Sequence, residues 1–126
     1  FITQNLLEKE DLYPYMDGPA VFKKAVVKMP EVVHEALKQN NLQTTDIDML
    51  IPHQANLRIA QFVQQQLGLS DDKVFNNIQK YGNTTAASVP IALCEAWEAG
   101  KVKEGDLVCL AAFGSGFTWG SALLRW

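Results

Sequence analysis

The sequence predicts a layered α/β domain, with helices packed on a mixed sheet. Three observations carry this. Residues 107–113, LVCLAAF, form a near-continuous apolar run, as a strand covered on both faces requires. Apolar residues recur at helical spacing from Phe22 to Leu37. Between these two regions helix-like and strand-like segments alternate, with Pro and Gly at several of the handovers.

Residues 1–17 carry charges, Pro14 and tyrosines without clear periodicity, and read as a loop or lead-in segment; 18–126 reads as the domain. Gly18 and Pro19 suit a helix start, since a proline in the first turn loses no hydrogen bond. The stripe Phe22, Ala25, Val26, Met29, Val33, Ala36, Leu37 runs through Pro30, which predicts one kinked helix or two abutting ones. Met49–Ile51 form a short buried strand stopped by Pro52. A second helix is expected from about Gln54 to Leu67, with Ala55, Ile59, Ala60, Val63 and Leu67 on one face and Gly68 closing it. Val74 and Phe75 suggest another short strand, and Tyr81-Gly82-Asn83 a turn. A third helix runs to about Ala99, with Val89, Leu93, Ala96 and Trp97 inward; Ser88 as its N-cap places Pro90 in the first turn. After the tight turn Gly114-Ser115-Gly116, residues 117–126 form the last strand. The order begins with a helix, so a first strand is expected before residue 1.

Composition narrows the classes. A chain of 126 residues suits one domain. A net charge of −3 argues against a general nucleic-acid binder, while leaving room for a local basic patch. No apolar run is long enough to span a bilayer, and the first residues lack the basic start and apolar core of a signal peptide. The chain does not begin with Met, as expected of a processed or truncated piece. Cys94 and Cys109 have neither metal-type spacing nor partners for a disulfide framework; both read as buried, reduced thiols of a cytoplasmic protein.

The chemistry concentrates at IPHQANLRIA, residues 51–60. His53 follows a strand end and precedes a helix, the place where ligands collect in α/β sheets. A helix N-terminus favours the neutral imidazole, which donates one N–H without carrying formal charge. His34 reads as an exposed residue on a polar helix face. Asn83 has two readings: a turn residue, or an amide directed into a pocket beside His53, with the small residues 84–88 leaving room for a ligand. Gly114-Ser115-Gly116 is a hairpin turn or a loop whose N–H groups face a developing oxyanion. Neither cysteine, nor Ser88 nor Ser115, stands in a setting that makes a nucleophile. No phosphate loop and no zinc spacing is present, so no metal is expected.

PHQANLRI, GNTTAASVP and AFGSGFTWGSALLRW together resemble the C-terminal part of the β-ketoacyl-acyl-carrier-protein synthase III family, condensing enzymes of the thiolase-like superfamily, from about Phe22 to Trp126. The resemblance implies the second half of a two-half fold, lacking its first strand. It implies an acyltransferase that initiates fatty-acid synthesis by condensing an acyl-CoA-derived acyl group with malonyl on acyl carrier protein, both as substrates and with no cofactor. In the family the catalytic set is Cys, His and Asn; His53 and Asn83 match the last two, and the cysteine belongs to the first half. Ser115 matches the turn residue whose backbone N–H binds an oxyanion, at a position where the commoner pattern has glycine. Arg58 matches a carrier-protein contact, Asn56 a residue near the pantetheine arm, and Phe22 and Lys23 a stretch beside the same entrance. Full-length members are usually homodimers. Two rival readings are a non-catalytic domain that binds a carrier protein or partner subunit, and a related condensing enzyme of secondary metabolism.

Overall fold

The computed structural model describes residues 3–8 and 15–126. Three strands form one mixed sheet in the order β1 (Met49–Pro52), β2 (Leu107–Gly114), β3 (Thr118–Arg125). β1 runs parallel to β2, with Leu50 opposite Cys109 and Pro52 opposite Ala111. β3 returns antiparallel from the hairpin, with Gly114 opposite Thr118.

The central position of β2 explains its apolar run. Side chains alternate across a strand, and each set meets its own core. Cys109, Ala111 and Phe113 pack with Leu50 against Ala25, Met29 and Val33 of helix α2 (Gly18–Gln39) and Val63 of α3 (Leu57–Leu67). Val108 joins Met49 and Ile51 against Ala92 and Ala96 of α5 (Ser88–Glu98). The first core is the larger and includes the fully buried Val33, Leu50, Val63 and Cys109.

Helix α2 is one helix through Pro30, not two. Its start is set by Asp17, whose carboxylate accepts the Ala20 N–H at 3.0 Å, with proline in the first turn as expected. α3 begins three residues later than the periodicity suggests, because the Asn56 side chain caps it by accepting the Arg58 N–H at 2.9 Å. Gly68 closes α3 in the left-handed conformation, φ 67°. The Val74–Phe75 strand reduces to a single bridge: Val74 pairs with Leu50, and the Phe75 N–H donates to the Leu50 carbonyl at 3.0 Å. A short helix, α4 (Ile78–Tyr81), then replaces any further extension.

The inward face of α5 also differs. The residues closest to the sheet are Ser88, Ala92 and Ala96, a small-residue row at i, i+4, i+8, with Val89 and Leu93 only partly buried. Trp97 is exposed and stacks obliquely near Trp126, ring centroids 6.2 Å apart. Cys94 is exposed as well, so only Cys109 is the core thiol the sequence predicts. In the lead-in segment, Gln4–Glu8 form a short helix, α1, without a buried residue, where the sequence predicts loop; residues 9–14 lie outside the described residues.

Candidate active site

His53 continues β1 by one residue, donating its backbone N–H to the Ala111 carbonyl at 2.8 Å. The parallel ladder thus fixes its Cα at the C-terminal end of the sheet. The half-buried ring places Nδ1 2.5 Å from the Ser88 hydroxyl oxygen, at the first turn of α5. It lines a cavity of about 370 Å³ together with Thr85 and Ala86 on one side and Phe113, Gly114 and Trp119 on the other. Phe113 and Trp119 stack there at 6.2 Å and an interplanar angle of 10°. A second cavity of about 30 Å³ lies behind, where His53 meets Asn56, Val21 and Met29. Among the described residues, no charged side chain lines either space. Burial lowers the His53 pKa from its ordinary value, and the positive end of α5 acts in the same direction. The imidazole is therefore neutral at pH 7.

Gln54, the next residue, is buried and ties the site together. Its Oε1 accepts the N–H groups of Asn77 and Ile78, at 3.0 and 3.1 Å, and its Nε2 donates to the Pro52 carbonyl at 2.7 Å. One side chain thereby anchors the segment leading to Asn83 onto the strand end that carries His53. The sequence reading missed this role; the one available signal was an unbranched amide at a position flanked by a strand end and a helix cap.

The segment before Asn83 has a second anchor. Glu95 of α5 receives hydrogen bonds from Lys80, from the Tyr81 hydroxyl at 2.6 Å and from the Asn77 amide at 2.8 Å. These bonds, that of Lys80 foremost, hold the Glu95 carboxyl well below its ordinary value of 4.5, at about 2. A carboxylate with a depressed folded-state pKa contributes stability that is full above the unfolded value and is lost as pH falls through the folded one. Glu95→Gln is therefore expected to lower the melting temperature at pH 7. The gap to the parent should narrow between pH 4.5 and pH 2. Thermal melts across that range check this, and a gap that stays constant down to pH 2 contradicts the assignment.

Asn83 itself is exposed and does not line the cavity at His53. Its Oδ1 accepts the Thr85 N–H at 2.9 Å, so that half of the side-chain amide is committed to the turn. That bond is the turn chemistry the sequence allows; the other reading, an amide directed into the pocket beside His53, is not matched by the cavity lining. Thr85 adopts φ 52°, a left-handed conformation that a β-branched residue rarely takes, two residues after the asparagine it holds.

Ser115 lies at the exposed hairpin tip, outside the cavity lining, and its carbonyl accepts the Thr118 hydroxyl at 3.0 Å. It does not adopt positive φ, so serine is unstrained there; Gly116 carries that demand, with φ 140° and Thr118 Cγ2 only 2.9 Å from where a Cβ would stand. The structure brings Phe22 and Arg58 together: the guanidinium lies 5.7 Å from the ring centroid, and Phe22 meets Phe62 edge-on. Asn56 lines the small cavity behind His53 while capping α3. Lys23 is exposed nearby on α2, whereas Lys28 is engaged by Glu31 at 2.5 Å and lies over Trp119. His34 is exposed, as predicted, with Nδ1 2.8 Å from the Pro30 carbonyl.

No nucleophile completes the set among the described residues. Burial pushes the Cys109 thiol up to about 12, and the Glu98 carboxylate raises that of Cys94, so neither is a thiolate at neutral pH. No cluster of metal-ligating side chains occurs among the described residues, and no helix there is long and apolar enough to cross a membrane.

The mixed sheet between α2/α3 and α5, with a histidine at the end of its parallel strand, defines a thiolase-like domain. Two solved structures match it closely. The 3-oxoacyl-(acyl carrier protein) synthase III of Pseudomonas aeruginosa superposes with a TM-score of 0.90 at 40% identity, over 100% of this chain and 38% of that one. The Aquifex aeolicus synthase III gives 0.88 at 50% identity, over 90% and 37%. The family model described as 3-oxoacyl-[acyl-carrier-protein (ACP)] synthase III C terminal matches residues 37–126, and the chain belongs to that family. A Campylobacter jejuni β-ketoacyl-[acyl-carrier-protein] synthase III is 56% identical over 110 residues, 87% of this chain and 34% of that protein. The chain thus spans about a third of the length of the curated relatives it matches.

Proposed function

We propose that this chain supplies the decarboxylating half of a β-ketoacyl-acyl-carrier-protein synthase III, which initiates fatty-acid synthesis. The observation that carries the reading is His53: a neutral, half-buried imidazole at a strand end, on a cavity that no charged side chain among the described residues lines. In the proposed reaction a malonyl thioester loses carbon dioxide, and the electrons of the broken C–C bond move to the thioester oxygen. His53 donates an N–H to that oxygen, and Asn83, whose Oδ1 is held by Thr85, donates a second from Nδ2. The carbanion then attacks the acyl carbon of an acyl-cysteine; the new C–C bond forms as the thiolate leaves. The cysteine comes from outside these 126 residues, and the backbone N–H of Ser115 serves the oxyanion of that second step. Charge develops on both oxygens only during reaction, so donors fixed in advance favour the transition state selectively.

The partners follow. Acyl-CoA loads the cysteine and acyl carrier protein presents malonyl. Arg58, steadied by Phe22, and the exposed Lys23 meet the carrier's acidic surface, and Asn56 lies along the pantetheine path. No cofactor takes part, and the assembled enzyme is a homodimer. The test is carbon dioxide release from malonyl-acyl carrier protein by the complete enzyme containing this chain, with and without an acyl-CoA primer. Release coupled to formation of a β-ketoacyl product supports the reading. Carrier-protein binding without any release, under conditions that load the cysteine, sinks it.

A further inference from the structure

The two histidines are held by partners of opposite character. Nδ1 of His34 faces the Pro30 carbonyl, which only accepts, so that ring carries its proton on Nδ1. Nδ1 of His53 faces the hydroxyl of Ser88, which both donates and accepts. What decides the direction is the second partner of that hydroxyl. The Gln54 backbone N–H lies 3.3 Å from Ser88 Oγ and only donates, so it occupies an oxygen lone pair. Were Nδ1–H also to donate to Oγ, the hydroxyl proton would have no acceptor among its described partners. Ser88 is 1% exposed, so water cannot readily take that proton. A buried donor left unpaired costs roughly 1–3 kcal/mol. The arrangement with every group paired has the Ser88 O–H donating to Nδ1, which must then be bare.

We infer that Ser88 is a positioning residue for His53: its hydroxyl, oriented by the Gln54 N–H, sets the imidazole in the Nε2–H tautomer and aims that N–H at the cavity. This rests on the proposed function for its consequence, because an Nε2–H donor is what a developing enolate oxygen requires; the tautomer itself is a property of the resting chain. It also explains why a serine stands, fully buried, in the first turn of α5, where a hydroxyl would ordinarily cap the helix. No side-chain cap bond forms at this helix start, and the hydroxyl is committed to the strand end instead.

The test reads the tautomer directly, by two-bond ¹H–¹⁵N correlation on protein labelled at histidine. At neutral pH His53 should show a bare Nδ1 and a protonated Nε2, and His34 the reverse bias. Ser88→Ala should collapse the His53 pattern to an average of both tautomers, and Ser88→Thr should restore it. In the complete enzyme, Ser88→Ala should lower kcat for malonyl decarboxylation by roughly 10- to 100-fold, as loss of a partner that orients an active imidazole does, with KM little changed and rescue in Ser88→Thr. An Nδ1–H tautomer in the parent protein overturns the inference without any variant having to fold. So does a His53 pattern that Ser88→Ala leaves unaltered. If the tautomer shifts as stated but His53→Ala does not slow decarboxylation, the functional reading fails and the assignment of Ser88 stands.

Discussion

His53→Ala is expected to slow malonyl decarboxylation by roughly 10²- to 10³-fold in the complete enzyme, the typical effect of removing one donor to a developing oxyanion. Loading of the acyl group onto the cysteine should change far less. The separation follows from geometry. The His53 ring is neutral and fixed by Ser88, and it faces a space that no other charged or basic group among the described residues lines. In the proposed reaction it acts on the oxygen that becomes anionic when carbon dioxide leaves. Acyl loading develops its charge elsewhere, at the oxygen that the turn backbone serves in the proposed scheme. The effect should appear in kcat rather than in KM, since the ground-state thioester oxygen carries little charge. Single-turnover assays with labelled acyl-CoA and with malonyl-acyl carrier protein measure the two steps separately. Equal loss in both would mean that His53 activates the nucleophile, or holds the fold, instead of stabilising the enolate.

The fold was legible where periodicity is the whole signal. LVCLAAF reads as a doubly covered strand because both of its faces are buried, and the α2 stripe reads correctly because each of its residues is local to one helix. Errors fall where a side chain overrides the pattern. Asn56 ends the loop by capping α3, so the helix starts late. Ser88 looks like a cap by position, yet its hydroxyl leaves the helix for His53, 35 residues away in sequence. Trp97 satisfies the helical stripe but is too large for the gap that Ala92 and Ala96 fill, and it lies outside. For the candidate site, the strand-end position of His53 was legible in the sequence, whereas Asn83, read as either a turn residue or a pocket amide, occupies the turn and does not line the cavity. The bonds that join them run through Gln54, Asn77 and Glu95, and contacts of that sequence separation leave no mark on local spacing.

Gln54→Ala is expected to be the most destabilising single change near the site, at about 4 kcal/mol, because it leaves several buried backbone groups unpaired at roughly 1–3 kcal/mol each. Two are the N–H groups of Asn77 and Ile78, and the third is the Pro52 carbonyl. Against a total stability on the order of 5–15 kcal/mol, such a loss brings a chain of this size close to unfolding at 37 °C. Urea unfolding measures it. Hydrogen exchange at Asn77 and Ile78 should show lost protection even where the global fold survives. Gln54→Glu separates lost packing from lost hydrogen bonding. An ionised glutamate keeps the two N–H groups but has no proton for the Pro52 carbonyl, whereas the protonated acid reproduces the amide's pattern of one donor and one acceptor. Folding therefore favours the protonated form and raises that group's pKa above its unfolded value of roughly 4.3. By linkage, the stability of Gln54→Glu relative to the parent should improve as pH falls from 7 toward 4. If the variant instead stays equally unstable across that range, the amide acts by shape alone. The bridge from His53 to the Asn83 segment would then have to be carried by Glu95.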